Sequence, residues 1–234
     1  MTERAEDSVI DVYQRHGSAW AKLRGDHLVE GSWLDRFCSL LPAKATVLDI
    51  GCGSGLPIAR ELIRRRFDVT GVDSTPTMLA LFQRNMPDTP AHLADMRELA
   101  LGQRFAGLLA WDSFFHLSPN DQRAMFSRFQ AHAAPGAALM FTSGNAEGHA
   151  IGQLEGDPLY HGSLGPDEYR ALLDATGFGV VDHVVEDPTC GYRTVWLAQQ
   201  GGGSDRQFGD ALRTESCRAA EYIAVADRSQ AECP

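Results

Sequence analysis

The sequence lacks a long hydrophobic run, since no apolar stretch approaches the roughly eighteen residues that a membrane-spanning helix needs. Residues 1–7 are acidic, whereas a secretory signal begins with basic residues and continues with apolar ones. Both absences favour a cytoplasmic protein with no membrane partner.

Paired cysteines are also missing. The cysteines are odd in number, and they form no CxxC pair and no His/Cys cluster with zinc spacing. Disulfides and a metal site are therefore both disfavoured. The five cysteines are Cys38, Cys52, Cys190, Cys217 and Cys233.

Positive charge is scarce, because the chain of 234 residues has a formal net charge of −10 at pH 7. Proteins that bind DNA or RNA present a basic face to the phosphates. The charge balance therefore argues against a nucleic-acid partner. The basic run at residues 64–66 is interpreted as a solvated helix end that the helix dipole favours.

Short β-prone runs alternate with helical patterns through most of the chain. This alternation predicts βαβ units, and therefore a largely parallel sheet with helices on both faces. The predicted strands cover residues 45–50, 67–73, 92–94, 105–111, 137–142, 180–186 and 194–197, and the predicted helices lie within 8–41 and at 56–66, 75–85, 118–132 and 166–176.

Two segments depart from this rhythm. The connection between the strands at 180–186 and 194–197 is too short for a parallel crossover, which predicts an antiparallel pair. Residues 144–165 have no clear period and are predicted to form a long functional loop.

Gly201–Ser204 is read as a flexible linker. The expected division is an N-terminal helical cap at 1–44, a catalytic domain at 45–199 and a flexible tail at 200–234.

The most informative segment is Val47-Leu-Asp-Ile-Gly-Cys-Gly-Ser-Gly55, where a strand turns into a helix. Glycines there let the backbone approach a ligand closely, and the helix N-terminus favours a negative group. The spacing completes G-x-G-x-G. The dinucleotide pattern G-x-G-x-x-G would need glycine at position 56, which is Leu56.

With these motifs, residues 45–199 resemble class I S-adenosylmethionine-dependent methyltransferases. The resemblance rests on the glycine segment, on Asp73 after the second strand, on Asp95 and Met96 after the third, and on Pro135-Gly136 before the fifth. It implies a three-layer Rossmann-like α/β fold with a seven-stranded, mostly parallel sheet and a terminal antiparallel hairpin.

The resemblance also implies roles for individual residues. Asp73 would accept from the ribose hydroxyls, while Asp95 would accept from the adenine amino group with Met96 packed on the ring. The alternatives are that Asp73 is a helix N-cap and that Asp95 caps the following turn. Asp49 lies in a buried strand, and the resemblance suggests that it orders the glycine loop. The expected cofactor-binding set from these strand ends is Asp49, Gly51, Cys52, Gly53, Gly55, Asp73, Ser74, Asp95, Met96, Trp111 and Asp112.

The N-terminal helix adds further candidates. Tyr13 and Trp20 are expected to fold over the cofactor, although both could be ordinary packing residues. Arg24 could pair with the cofactor's methionine carboxylate, because a guanidinium matches a carboxylate well. His116, after the fourth strand, is the candidate general base, although it could equally serve only to begin the next helix. His149, Tyr160 and His161 are candidates for the acceptor pocket.

The resulting hypothesis is methyl transfer from S-adenosyl-L-methionine to an O, N or S atom of a small molecule. Such a reaction depends mainly on positioning, so a fixed catalytic residue is not required. A non-methylating or catalytically silent protein that binds S-adenosylmethionine would share the same motifs. An NAD-dependent oxidoreductase is the third alternative, and it is opposed by Leu56 and by the terminal antiparallel pair.

Overall fold

A seven-stranded sheet lies at the centre of residues 5–201, the part of the chain that the computed structural model describes. Its strand order is β3-β2-β1-β4-β5-β9-β8. The first five strands run parallel, while β9 is antiparallel to both β5 and β8. The strands of this sheet are β1 Thr46–Ile50, β2 Asp68–Asp73, β3 Ala91–Leu93, β4 Phe105–Ala110, β5 Ala133–Ser143, β8 Phe178–Asp187 and β9 Arg193–Gln200.

Helices cover both faces of the sheet, and several begin where the sequence provides a cap. Thr75 precedes a helix with Pro76 in its first turn, and the Ser118 hydroxyl accepts the Asp121 N–H at the start of another. The helices are α1 Val9–Arg24, α2 Gly31–Ser39, α3 Ile58–Arg64, α4 Pro76–Asn85, α5 Pro119–His132 and α6 Pro166–Ala175.

The predicted Rossmann-like fold class is confirmed, including the terminal antiparallel hairpin β8–β9. The prediction of a loop at residues 144–165 is wrong. Most of that segment is a two-stranded antiparallel sheet of β6 Gly148–Leu154 and β7 Asp157–Ser163. Glu155 and Gly156 form its turn with φ of 51° and 86°, the positive values that a tight hairpin turn requires. Glycine at 148, 152 and 162 interrupts the alternation that normally indicates a strand.

Apolar side chains fill the space on each side of the sheet. On one face α5 and α6 pack through Phe126, Phe129 and Tyr169, and on the other α2 and α4 pack through Trp33 and Phe82. All five side chains are almost completely buried. The alternation along β1 serves both cores, because Leu48 and Ile50 face one and Val47 faces the other.

Helix α1 packs across the β6–β7 hairpin. Val9 and Val12 join Leu159 and Tyr160 of the hairpin in a third apolar cluster. His16 Nε2 lies 2.6 Å from an Asp157 carboxylate oxygen at the start of β7, and the Arg15 guanidinium lies 2.7 Å from the same atom.

The opposite side of α1 is fastened to α4. Thr77 donates its N–H to the Gln14 side-chain oxygen at 3.2 Å and its hydroxyl to the Gln14 carbonyl at 2.9 Å. Helix α1 is therefore held from two directions, by the hairpin and by α4.

The predicted flexible tail lies outside the described residues, apart from its first two positions. Within residues 5–201, no helix combines the length and the apolar character needed to cross a membrane.

Replacing Phe129 by Ala tests the packing of the core beneath α5. The ring is fully buried, and its centroid lies 5.7–6.5 Å from those of Phe114, Phe126 and Phe141. We expect Phe129→Ala to lower the free energy of unfolding by about 3–5 kcal/mol, measured by urea denaturation. Leu23→Ala, at a side chain that is 57% exposed, should change it by less than about 0.5 kcal/mol. Equal effects of the two changes would contradict the packing described.

Candidate active site

The glycine segment forms a tight loop between β1 and α3. The N–H groups of Gly51 and Cys52 both donate to the Val72 carbonyl, at 2.8 and 2.9 Å. Gly51 has φ +77°, and a Cβ there would lie 2.3 Å from the Ser113 Cβ, so only glycine fits. Gly53, with φ +55°, faces open space instead, since a Cβ there would meet no atom within 4 Å.

The carboxylate of Asp73, at the end of β2, holds this loop in place. One oxygen accepts the Gly53 N–H at 2.9 Å, and the other accepts the Thr75 N–H and hydroxyl at 2.9 and 2.8 Å. Burial raises the pKa of the Asp73 carboxyl, and these hydrogen bonds oppose the shift. Asp73 therefore orders the glycine loop and fixes Thr75, which is the N-cap residue of α4, but it is not the N-cap itself.

Asp49 does not order the loop, contrary to the expectation from sequence. None of the hydrogen bonds among the described residues engages its carboxylate, although Asp49 is only 4% exposed. Burial, together with the nearby charge of Asp73, raises the pKa of this carboxyl to about 7. A buried carboxylate without a partner is costly and is suited to receive a positively charged group.

A groove runs beneath α1 along the carboxyl ends of β1, β2 and β4, and it consists of two neighbouring cavities. The first cavity contains the Asp49 carboxyl and the Trp111 indole, whose Nε1 is buried without a hydrogen-bond partner. The cavities share Trp20, Gly51, Gly53 and Asp112, while Asp49, Cys52, Gly55, Arg24 and Trp111 line only the first and Tyr13, Asp73, Ser74 and His116 only the second.

Asp112 is fixed by an arginine that the sequence pattern did not reveal. Arg193, at the start of β9, donates its Nε to both Asp112 oxygens at 2.8 Å and its Nη2 to one of them at 2.6 Å. The Asp112 N–H donates to the Thr142 hydroxyl at 2.9 Å. Since the Asp112 carboxylate is already paired, it adds little net negative charge to the groove.

His116 has a defined tautomer. Its Nδ1 lies 2.8 Å from the Tyr160 carbonyl, which can only accept, so Nδ1 carries the proton. Its Nε2 then accepts from the Tyr13 hydroxyl at 3.0 Å. Burial, reinforced by the nearby His161, lowers the pKa of the His116 imidazole to about 3. The basic nitrogen of His116 is therefore already occupied, and its role as general base stays a prediction.

Arg24 points into the first cavity from the end of α1. Its guanidinium pairs with the Glu30 carboxylate and also donates to the His27 carbonyl at 3.1 Å. Glu30 is fully buried, and one of its oxygens has no hydrogen-bond partner. The sequence did not single out Glu30, because a lone acid before a helix resembles an ordinary surface residue.

Asp95 adopts the capping alternative. Its carboxylate accepts from the backbone N–H of Arg97 at 2.8 Å, and the Arg97 guanidinium lies 2.6 Å from its other oxygen. Neither Asp95 nor Met96 lines the two cavities, although the Met96 methyl lies 3.4 Å from the Cβ position of Gly51. Their contact with an adenine ring stays a prediction.

The hairpin brings two of the three acceptor-pocket candidates towards the groove. The His161 ring lies 4.9 Å from the ring of His116, between centroids, and the Tyr160 carbonyl binds His116 directly. His149 is exposed and stacks on the outer side of Tyr160 at 5.9 Å. His161 and Tyr160 therefore contact His116, which lines the second cavity, whereas His149 lies farther out on the hairpin.

Strand order, glycine loop and terminal hairpin together define a Rossmann-like methyltransferase fold. Residues 47–136 match a family model described as a methyltransferase domain. These residues are therefore similar to a methyltransferase domain, and the resemblance of the chain to class I methyltransferases is confirmed.

One similar curated protein is the dTDP-3-amino-3,6-dideoxy-alpha-D-glucopyranose N,N-dimethyltransferase of Streptomyces fradiae. It is 34% identical over 101 residues, which cover 42% of this chain and 39% of that protein. The chain spans about half the length of the curated relatives it matches, 49% and 54% for two others.

Solved structures share the fold. CalS10, an amino pentose methyltransferase from Micromonospora echinaspora, matches with a TM-score of 0.61 and 22% identity over 78% of this chain and 95% of that one. A 1,6-didemethyltoxoflavin-N1-methyltransferase from Burkholderia thailandensis matches with a TM-score of 0.63 and 19% identity over 86% and 92%.

The charge of Asp49 should make stability depend on pH. Burial of the Asp49 carboxyl destabilises the folded protein only when the carboxyl is ionised. The free energy of unfolding is therefore highest below the ordinary pKa of an aspartate, and it falls as the pH rises from there to about 7. Asp49→Asn removes this loss. We expect the variant to gain on the order of 3 kcal/mol relative to the wild type between pH 4 and pH 8, measured by urea denaturation.

Asp68→Asn is the matched control, since Asp68 is an exposed carboxylate at the start of β2. Its difference from the wild type should stay constant over the same pH range. A constant difference for Asp49→Asn as well would show that the Asp49 carboxyl ionises normally.

Proposed function

We propose that this chain is an S-adenosylmethionine-dependent methyltransferase that transfers a methyl group to an O, N or S atom of a small molecule. The observation that carries the proposal is the groove beneath α1, where the glycine loop meets a buried carboxylate and a buried N–H donor that both lack partners. The methyltransferase-domain match and the names of the similar proteins support it.

The first cavity suits the amino-acid end of S-adenosylmethionine, which carries an ammonium and a carboxylate. The ammonium would neutralise Asp49 and return the pKa of that carboxyl towards its ordinary value. The carboxylate would accept from the Trp111 indole N–H and from Arg24, which already reaches this cavity.

The second cavity suits the nucleoside end. Asp73 lies there at the end of β2 with both oxygens held by backbone and hydroxyl donors. One oxygen already accepts two hydrogen bonds from Thr75, whereas the oxygen that accepts from Gly53 retains lone-pair capacity for a ribose hydroxyl. Gly53 and Ser74 border the same space without filling it.

S-adenosylmethionine supplies a methyl group on a positively charged sulfur, which is already activated for displacement. The protein therefore has to align the acceptor and exclude water. Helix α1 serves that purpose, since Tyr13 and Trp20 lie over the groove and the helix is fixed to α4 and to the hairpin.

A small acceptor fits the surroundings of the groove. The rings of Phe115, His116 and His161 cluster beside the groove, with centroids 4.8–5.3 Å apart, and offer aromatic and imidazole surfaces to a small molecule. The net charge of −10 disfavours a nucleic-acid substrate. Two similar proteins are named for transfer to nitrogen, on an amino sugar and on a toxoflavin precursor.

The alternatives to methyl transfer that the sequence left open can be separated by experiment. A non-methylating or silent binder of S-adenosylmethionine would use the same groove, and product analysis separates these possibilities. An NAD-dependent oxidoreductase is disfavoured by the domain match and by β8–β9. The domain boundaries at 44/45 and 199/200 and the cytoplasmic location stay predictions.

Titration calorimetry with S-adenosylhomocysteine, alongside NAD, tests the cofactor. We expect the wild type to bind S-adenosylhomocysteine in the micromolar range and NAD not at all. Asp73→Asn should weaken binding by ~10-fold or more, because it removes charge-assisted bonds and loosens the loop. The exposed control Asp68→Asn should bind like the wild type. Preferential binding of NAD would overturn the proposal.

Methyl-labelled S-adenosylmethionine tests the acceptor class. The purified protein is incubated with the low-molecular-mass and the macromolecular fractions of a cell lysate. We expect label to enter only the low-molecular-mass fraction. Label found only in protein or RNA would refute the small-molecule part of the proposal and leave the cofactor assignment intact.

A further inference from the structure

His116 and His161 differ in whether the Nε2 atom of the ring is already hydrogen-bonded. His161 Nδ1 lies 3.1 Å from the Leu159 carbonyl, so Nδ1 carries the proton and Nε2 keeps the lone pair. None of the hydrogen bonds among the described residues uses this Nε2. The corresponding nitrogen of His116 is bound by the Tyr13 hydroxyl.

The His161 ring is held in its orientation by its neighbours. It lies over Gly152 of the paired strand β6, where a Cβ would come within 3.1 Å of the His161 Cε1. The rings of Phe115 and His116 pack against it at 5.3 and 4.9 Å between centroids. Because the ring is confined by the hairpin and by the turn after β4, its Nε2 is a positioned, unused proton acceptor.

We propose that His161, through Nε2, accepts the proton that the acceptor loses during methyl transfer, while His116 positions Tyr13. This inference rests on the proposed function. When a proton-bearing N or O atom attacks, its bond to the methyl carbon forms and the carbon–sulfur bond breaks, leaving the electron pair on sulfur. The surplus proton of the methylated atom moves to Nε2 and then to solvent.

The electrostatic surroundings keep His161 neutral and therefore able to accept a proton. Burial lowers the pKa of its imidazole, while the Leu159 carbonyl and the Asp112 carboxylate oppose that shift. The titratable groups on the packed elements are His116, Asp112, Tyr13 and His16 of α1, His149 of β6, and Tyr160 and Asp157 of β7.

Nitrogen NMR of the purified protein tests the geometry without any turnover. We expect both His116 and His161 to show protonated Nδ1 and unprotonated Nε2. His161 should titrate below the ordinary histidine pKa, whereas His116 should stay neutral down to about pH 3. A protonated Nε2 on neutral His161 would overturn the proposal, since Nε2 would then have no lone pair with which to accept a proton.

His161→Asn tests the chemistry, because asparagine can still donate to the Leu159 carbonyl but has no basic nitrogen. With methyl-labelled S-adenosylmethionine and the low-molecular-mass lysate fraction, we expect the maximal rate to fall by ~100-fold or more. The apparent KM for S-adenosylmethionine should change little. The fall in rate that the wild type shows at acidic pH should disappear. His92→Asn, at an exposed histidine on β3, is the control and should keep both rate and profile.

The outcomes separate this inference from the proposed function. If the wild type transfers methyl groups and His161→Asn retains its rate and pH profile, the function stands and the role of His161 is refuted. If the wild type binds no S-adenosylhomocysteine, the proposed function fails first. Calorimetry of His161→Asn should match the wild type, since His161 lines neither cavity.

Discussion

The hydrogen bond between the Asp73 carboxylate and the glycine loop is the interaction on which the rest of the site depends. The carboxylate accepts hydrogen bonds from Gly53 on one side and from Thr75 on the other, so it joins the ends of β1 and β2. Because both strand ends meet at the carboxyl edge of the sheet, this contact fixes the floor of the groove. Asp49 is buried beside this groove without a hydrogen-bond partner, and its carboxylate is therefore suited to bind a cation.

Helix α1 is the complementary element, because it closes the groove that the strands open. Its Tyr13 hydroxyl reaches His116, and the helix is held by Asp157 of the hairpin on one side and by Thr77 of α4 on the other. The hairpin β6–β7 packs beside α1 and places His161 against His116. In the proposed function the cofactor lies between the strand ends and α1, and the acceptor approaches from the side of the hairpin.

Features that depend on local sequence were predictable, and features that depend on distant contacts were not. The glycine loop, Asp73 and the caps of α4 and α5 follow from neighbouring residues, so pattern and resemblance located them. The pair of Asp112 and Arg193 joins positions 81 residues apart, which no local pattern encodes. The hairpin was missed because its glycines obscure the strand period. Asp95 was assigned to a ligand by resemblance, whereas the adjacent Arg97 binds it in the structure.

A crystal structure of the protein with S-adenosylhomocysteine tests the role of Asp73 and the glycine loop most directly. We expect the ligand to lie in the groove beneath α1, with its amino group at Asp49, its carboxylate near Trp111 and Arg24, and its ribose at Asp73. A ligand bound elsewhere, or a ribose that does not contact Asp73, would contradict the central role given to the loop and its carboxylate.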